Sequence, residues 1–208
     1  MIGAKGGEIM SKQDTLRDKI IAIAEAYKEE PTGGWITGDG PMPAPILFLG
    51  EAPGKNEVEQ KKPFVGAAGK NFQRYLDMLG LKREEIRITN TCFLRPIKYK
   101  IGKTGRQTVS NRPPKPKEIE LFREVVDMEI EYTNPKIIVT LGNVPLKRVT
   151  SFKSIGECHG RLYYNEELKR YIFPMYHPSS LIYNQNSEFH KSYEEDWLKL
   201  KEELEKLL

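Results

Sequence analysis

Four short apolar runs, each separated from the next by a stretch with helical periodicity, constrain this chain most. They are "ILFL" at residues 46–49, "IRITN" at 86–90, "KIIVTLG" at 136–142 and "YIFPMYH" at 171–177. Near-continuous apolar runs of this length read as strands covered on both faces. Helical spacing follows at residues 69–79, 116–132 (opened by Pro116) and 144–149, with a further helix at 14–28 and an amphipathic one at 193–208. Strands alternating with helices predict a three-layer α/β/α fold around a mostly parallel, four-stranded sheet. Residues 98–117 read as a long irregular insertion, and loops of that length are commonly functional.

The 208 residues fit one domain, expected over 13–208, with the aperiodic residues 1–12 as an extension. No apolar run approaches the roughly 18 residues of a membrane span, and the first residues lack a secretory pattern, so a cytoplasmic protein is expected. Cys92 and Cys158 are too few for a disulfide framework or a metal cluster and are expected as buried free thiols. The net charge is +4, but Lys and Arg crowd the stretch from Arg87 to Lys117, where no acid occurs before Glu118. Such a segment suits either a polyanion or a solvated loop.

In open α/β sheets, ligands bind beyond the carboxyl ends of the strands. Four such ends carry polar residues: Gly50-Glu51, Asn90, Gly142-Asn143 and His177. In "GEAPG" the glycines and Pro53 let backbone N–H groups face a ligand while Glu51 positions a water; an ordinary turn is the alternative. Phe64 in "PFVGAAG" can stack on a base or pack in the core. Asn90 can read the adjacent carbonyl and N–H of a pyrimidine or cap a turn. His177, stiffened by Pro178, can donate to an oxygen gaining charge or be structural. His159 and His190 are expected to be structural. Dinucleotide, phosphate-loop and metal-site motifs are missing, which favours chemistry without cofactor or metal.

In their order and spacing, "GEAPG", "KPFVGAAG", "TN", "RP", "NRPPKPKEI", "IIVTLGN" and "YHPSSL" resemble the uracil-DNA glycosylase superfamily, most closely its family 4. The resemblance implies a monofunctional glycosylase acting as a monomer on DNA that contains uracil or another deaminated base, near the nucleoid. It implies that Glu51, with the backbone of Gly50 and Ala52, frames the attacking water and a base carbonyl. Glu57 is a weaker second carboxylate. Phe64 stacks on the flipped base, Asn90 reads its edge and His177 stabilises the departing anion. Pro178, Ser179, Ser180 and Leu181 press into the duplex, and Arg112 of the basic segment contacts DNA. Family 4 typically holds an iron–sulfur cluster on four cysteines; here the N-terminal pair is missing, and two expected positions fall on Leu94 and Phe122. A cluster-free variant, with packing in place of the metal, is therefore expected. A DNA-binding module without catalysis and a small-molecule nucleotide binder are the competing readings.

Overall fold

The computed structural model describes residues 10–102 and 105–208, so most of the expected extension 1–12 lies outside the described residues. In chain order the elements are α1 (Lys12–Ala26), β1 (Thr32–Trp35), β2 (Ile46–Gly50), α2 (Lys55–Gln60), α3 (Gly66–Leu79) and β3 (Arg87–Asn90). Then come β4 (Leu94–Ile101), β5 (Gln107–Asn111), α4 (Pro116–Leu121), α5 (Arg123–Thr133), β6 (Ile137–Leu141) and α6 (Asn143–Val149). The chain ends with β7 (Tyr163–Asn165), β8 (Arg170–Met175), α7 (Ser180–Tyr183) and α8 (Ser187–Leu207).

The central sheet has the order β3-β2-β6-β8-β7. Its first four strands are parallel, and β7 adds a short antiparallel edge to β8. The fold is the expected three-layer α/β class, but the sheet has five strands rather than four. The added strand, "YYN", is three residues long and only partly buried, too short for its periodicity to be read.

Successive side chains of a strand point to opposite faces, and the buried strands divide accordingly. Phe48, Ile88, Val139 and Phe173 face α3 and α8, where Phe72, Leu76, Trp197 and Leu200 complete one core cluster. Leu47, Leu49, Ile138 and Ile172 face α1 and α5, meeting Leu16, Ile20, Val126 and Ile130 in the other. On α8 the buried residues Tyr193, Trp197, Leu200 and Leu204 recur at helical spacing, and Asn186 caps its start by accepting from the N–H groups of Glu188 and Phe189.

Two expectations are corrected in the second half of the chain. The single helix expected at 116–132 breaks at Phe122, whose φ of −101° and ψ of 10° leave the helical region; its buried ring instead packs on Phe93, with centroids 5.3 Å apart. Within residues 98–117, expected to be irregular, β4 continues to Ile101 and β5 spans Gln107–Asn111. Strand β4 pairs with β1 at its buried start, then runs outward paired only with β5, as a two-stranded hairpin.

The basic segment also loses its uniform character. Arg87 is buried on β3, where its guanidinium forks onto both oxygens of Glu129 at 2.9 Å. Thr89 also donates to Glu129, and Arg87 donates to the Gly40 carbonyl. A buried charge left alone is costly, so Glu129→Ala should lower unfolding free energy by about 3–5 kcal/mol in urea denaturation. A loss below about 1 kcal/mol would mean that water reaches Arg87. Among the described residues no helix is long and apolar enough to cross a membrane.

Candidate active site

A cleft of about 390 Å³ opens beyond the carboxyl ends of β2, β3 and β8, within the usual size range of small-molecule sites. Ala52, Phe64, Asn90, His177 and Ser179 line it, joined by Asn111 from the root of the hairpin. The parallel register places Gly50 directly beside Asn90. A Cβ at Gly50 would stand 2.5 Å from the Asn90 amide oxygen and 3.0 Å from the Phe64 ring, so only glycine lets these groups meet. Asn143 does not join them. Its side chain accepts from the Ile155 N–H, and Gly142 merely backs His177.

Phe64 forms one wall. Its ring lies 4.8 Å from Phe72 and 5.6 Å from His177, and its backbone has a φ of +51°, in the left-handed region that non-glycine residues rarely enter. Several contacts hold it there. Glu57 accepts from the N–H groups of both Gly54 and Phe64, tying the two glycine-rich loops together. Arg83 donates to the carbonyls of Pro63 (2.7 Å) and Phe64 (3.4 Å) and pairs with Asp39. Gly69, the fourth residue of α3, sits so close that a Cβ would fall 2.3 Å from the Phe64 carbonyl oxygen. Sequence reasoning missed Arg83 and placed Glu57 as a second acid. The carboxylate of Glu57 is occupied by backbone donors and serves as a clamp.

Asn90 is only 3% exposed, yet among the described residues its amide makes no hydrogen bond to protein. A buried amide without a partner is unusual. Here it borders the cleft with both its donor and its acceptor available.

The hydrogen bonds of His177 fix its tautomer. The Ser179 backbone N–H, which can only donate, points at Nδ1 from 3.1 Å, so Nδ1 is an acceptor and the proton of the neutral ring sits on Nε2. Surrounding protein disfavours the charged imidazolium and pushes the imidazole down to about 4. The Pro178 carbonyl, accepting from Asn71 of α3 at 3.3 Å, steadies the loop.

Glu51 stands half-buried between Gly50 and Ala52, and its backbone carbonyl accepts from Cys92. Among the described residues its carboxylate takes no hydrogen bond or ion pair, and burial raises its carboxyl above the ordinary value. These opposite shifts give a pH prediction. With His177 neutral down to about 4, the acid limb of a rate that depends on both groups belongs to Glu51 and lies above the usual carboxylate range. A single-turnover pH profile should show that limb vanish in Glu51→Gln; a limb surviving near pH 6.5 would overturn the assignment. Stability falls in the same direction, through a different group. An unfolded chain protonates His177 near its ordinary 6.5 and the folded one only near 4, so the native state is destabilised as pH falls through that interval.

The geometry differs from four of the sequence-based expectations, those for Leu181, Pro178, Ser180 and Arg112. Leu181 is not free to enter a duplex, being 9% exposed and packed into the core cluster under α3 and α8. The exposed apolar groups at the rim are its neighbours Ile182 and Tyr183, the latter 83% exposed. Pro178 is buried, and Ser180 begins α7 without lining the cleft. Arg112 does not reach outward. Its guanidinium grips both oxygens of buried Glu118, at 2.6 and 2.7 Å. His159 and His190 bond Asp196 and the Asn184 carbonyl, away from the cleft.

An iron–sulfur cluster does not fit these residues. Leu94 and Phe122 are buried in one apolar cluster with Cys92 and Phe93, while Cys158 belongs to a separate one. Burial pushes the Cys92 thiol up to about 12, away from the thiolate a metal requires. Among the described residues no group of three or more His, Cys, Asp or Glu side chains is placed to hold a metal ion.

The cleft beyond the strand ends of this α/β sheet thus combines an aromatic wall from the loop before α3, an open amide and a neutral imidazole. Residues 37–201 match the model of the uracil DNA glycosylase superfamily, and the chain belongs to that family. It is 34% identical to a type-4 uracil-DNA glycosylase of Sulfurisphaera tokodaii, covering 93% of this chain and 85% of that protein. Proteins of the same designation from Saccharolobus solfataricus (38% identity; 94% and 88% covered) and Archaeoglobus fulgidus (30%; 93% and 94%) are also similar.

Proposed function

We propose that the protein is a monofunctional uracil-DNA glycosylase, hydrolysing the bond between uracil and deoxyribose to leave an abasic site. The observation that carries this reading is the pairing of the unpartnered Asn90 amide with the Nε2–H of a neutral His177, both beside the Phe64 ring.

A base within a duplex is out of reach, so the nucleotide is extruded at a cost of a few kcal/mol. Ile182 and Tyr183, exposed at the cleft rim, fill the gap it leaves. The flipped ring stacks on Phe64, and Asn90 accepts from the uracil N3–H while donating to O4. As the bond from C1′ to N1 breaks, its electron pair passes into the base and negative charge gathers on O2. His177 donates there from Nε2, and because its ring is already neutral it needs no prior proton loss. The sugar becomes oxocarbenium-like. A water held by Glu51 adds to C1′ and passes its proton to the Glu51 carboxylate, and uracil leaves as an anion that takes a proton from solvent.

Duplex and single-stranded DNA carrying uracil, hypoxanthine, xanthine or a mispaired thymine tests the reading. Strand breakage after alkali is expected for uracil, with no breakage before alkali and no adduct trapped by borohydride. Binding of uracil-DNA without an alkali-labile site on any substrate would reduce the protein to a binding module.

A further inference from the structure

The described cations between residues 98 and 117 fall into two groups. Arg112, Lys115 and Lys117 are neutralised by Glu118, Glu30 and Glu29. On the β4–β5 hairpin, by contrast, no carboxylate among the described residues lies within ion-pair distance of Lys98, Lys100 or Arg106. The sequence places no acid anywhere from Arg87 to Lys117. Beyond Ile97 every hairpin residue of β4 is exposed, and three of them or their partners are large and apolar: Tyr99 (53%), Ile101 (78%) and Val109 (51%).

The register decides which way these groups face. Ile97 pairs with Asn111, Tyr99 with Val109 and Ile101 with Gln107. Alternation puts all of them on one face of the ribbon, the face whose root residue, Asn111, lines the cleft. Arg95 fixes that root by donating from Nε to the Asn111 side-chain amide oxygen at 2.8 Å. Lys98 and Lys100 occupy the opposite face, and Arg106 follows the turn.

We propose that this hairpin is a second DNA-binding element, a ribbon that lies along the groove of the duplex flanking the extruded nucleotide. The inference rests on the glycosylase reading, since DNA entering the cleft must pass Asn111 and meet the ribbon next. The major groove of B-DNA admits a two-stranded ribbon. Tyr99, Ile101 and Val109 face the base edges and sugars, while the long stems of Lys98 and Lys100, with Arg106, reach the phosphate walls. Unpaired cations beside an apolar face match a polyanion with apolar groove surfaces better than they match an acidic protein.

The test uses the full chain and a duplex carrying a non-hydrolysable uracil nucleotide. The triple variant K98S/K100S/R106S should bind about 10²-fold more weakly at 0.1 M salt, and its slope of log K against log salt should be shallower by about 2.7, roughly 0.9 for each lost phosphate contact. With enzyme in saturating excess, its excision rate should stay within about twofold of native. The variant Y99S/I101S/V109S should lose affinity at an unchanged slope. Native affinity and slope in the triple variant would overturn the proposal and turn the hairpin toward a protein partner. Failure of the native protein to bind or cut uracil-DNA would instead sink the glycosylase reading itself.

Discussion

Replacing His177 by Asn should slow single-turnover excision of uracil about 10²–10³-fold, the usual effect of removing one donor from a site that receives developing negative charge. The amide of Asn can occupy part of the imidazole volume, but its donor sits on a shorter stem, and the 3.1 Å bond that aims the ring from Ser179 has no equivalent. Affinity for DNA should change little, because the loss appears only as charge builds on the base. The variant should also resist acid better than the native protein, since it no longer carries an imidazole held down to about 4. A rate within threefold of native would remove His177 from the chemistry. A parallel loss of thermal stability at neutral pH would show that its role is structural.

The second large effect is expected at Asn90. Leucine has nearly the same volume, so Asn90→Leu should leave the sheet intact while presenting uracil with an apolar surface. Two polar groups of the base would then be buried without partners, at about 1–3 kcal/mol each, so the rate should fall about 10²–10⁴-fold. Among the described residues the side chain makes no hydrogen bond that the fold could miss, and the variant should melt at or above the native temperature. An excision rate near native would show that the base is read elsewhere; a sharp fall in stability would reveal a hidden structural bond.

The frame of the molecule was legible because its strands are buried on both faces. Runs such as 46–49 and 136–142, short, apolar and bounded by turn residues, read as strands covered on both faces, and the alternation with helices fixed the parallel order. The strand ends followed, and with them the expectation that Asn90 and His177 border one cleft, while Phe64 was singled out by its Pro and Gly frame. What escaped the sequence depends on partners far along the chain. Arg112 looks like a free cation until Glu118 folds back beneath it, and Leu181 looks like a wedge until α7 turns it into the core. Helix α2 buries no residue and leaves no apolar period to read. The hairpin did leave a signal, since "KYKI" alternates polar and apolar residues and "QTVS" carries two β-branched ones, on either side of Gly102 and Gly105, but the crowding of charge there masked it.

The backbone conformation of Phe64 has a consequence for where discrimination arises. Clamped by Glu57, Arg83 and the close approach of Gly69, the ring is already set before any base arrives. A wall that cannot yield gains nothing by closing on its guest, so the protein contributes little flexibility to the timing of capture. The slow variable becomes the opening of the duplex itself, which is easiest where the base is mispaired. A preference for uracil opposite guanine over uracil opposite adenine would then be written in the stacking and pairing of the DNA, with the protein acting as a fixed gauge held against it.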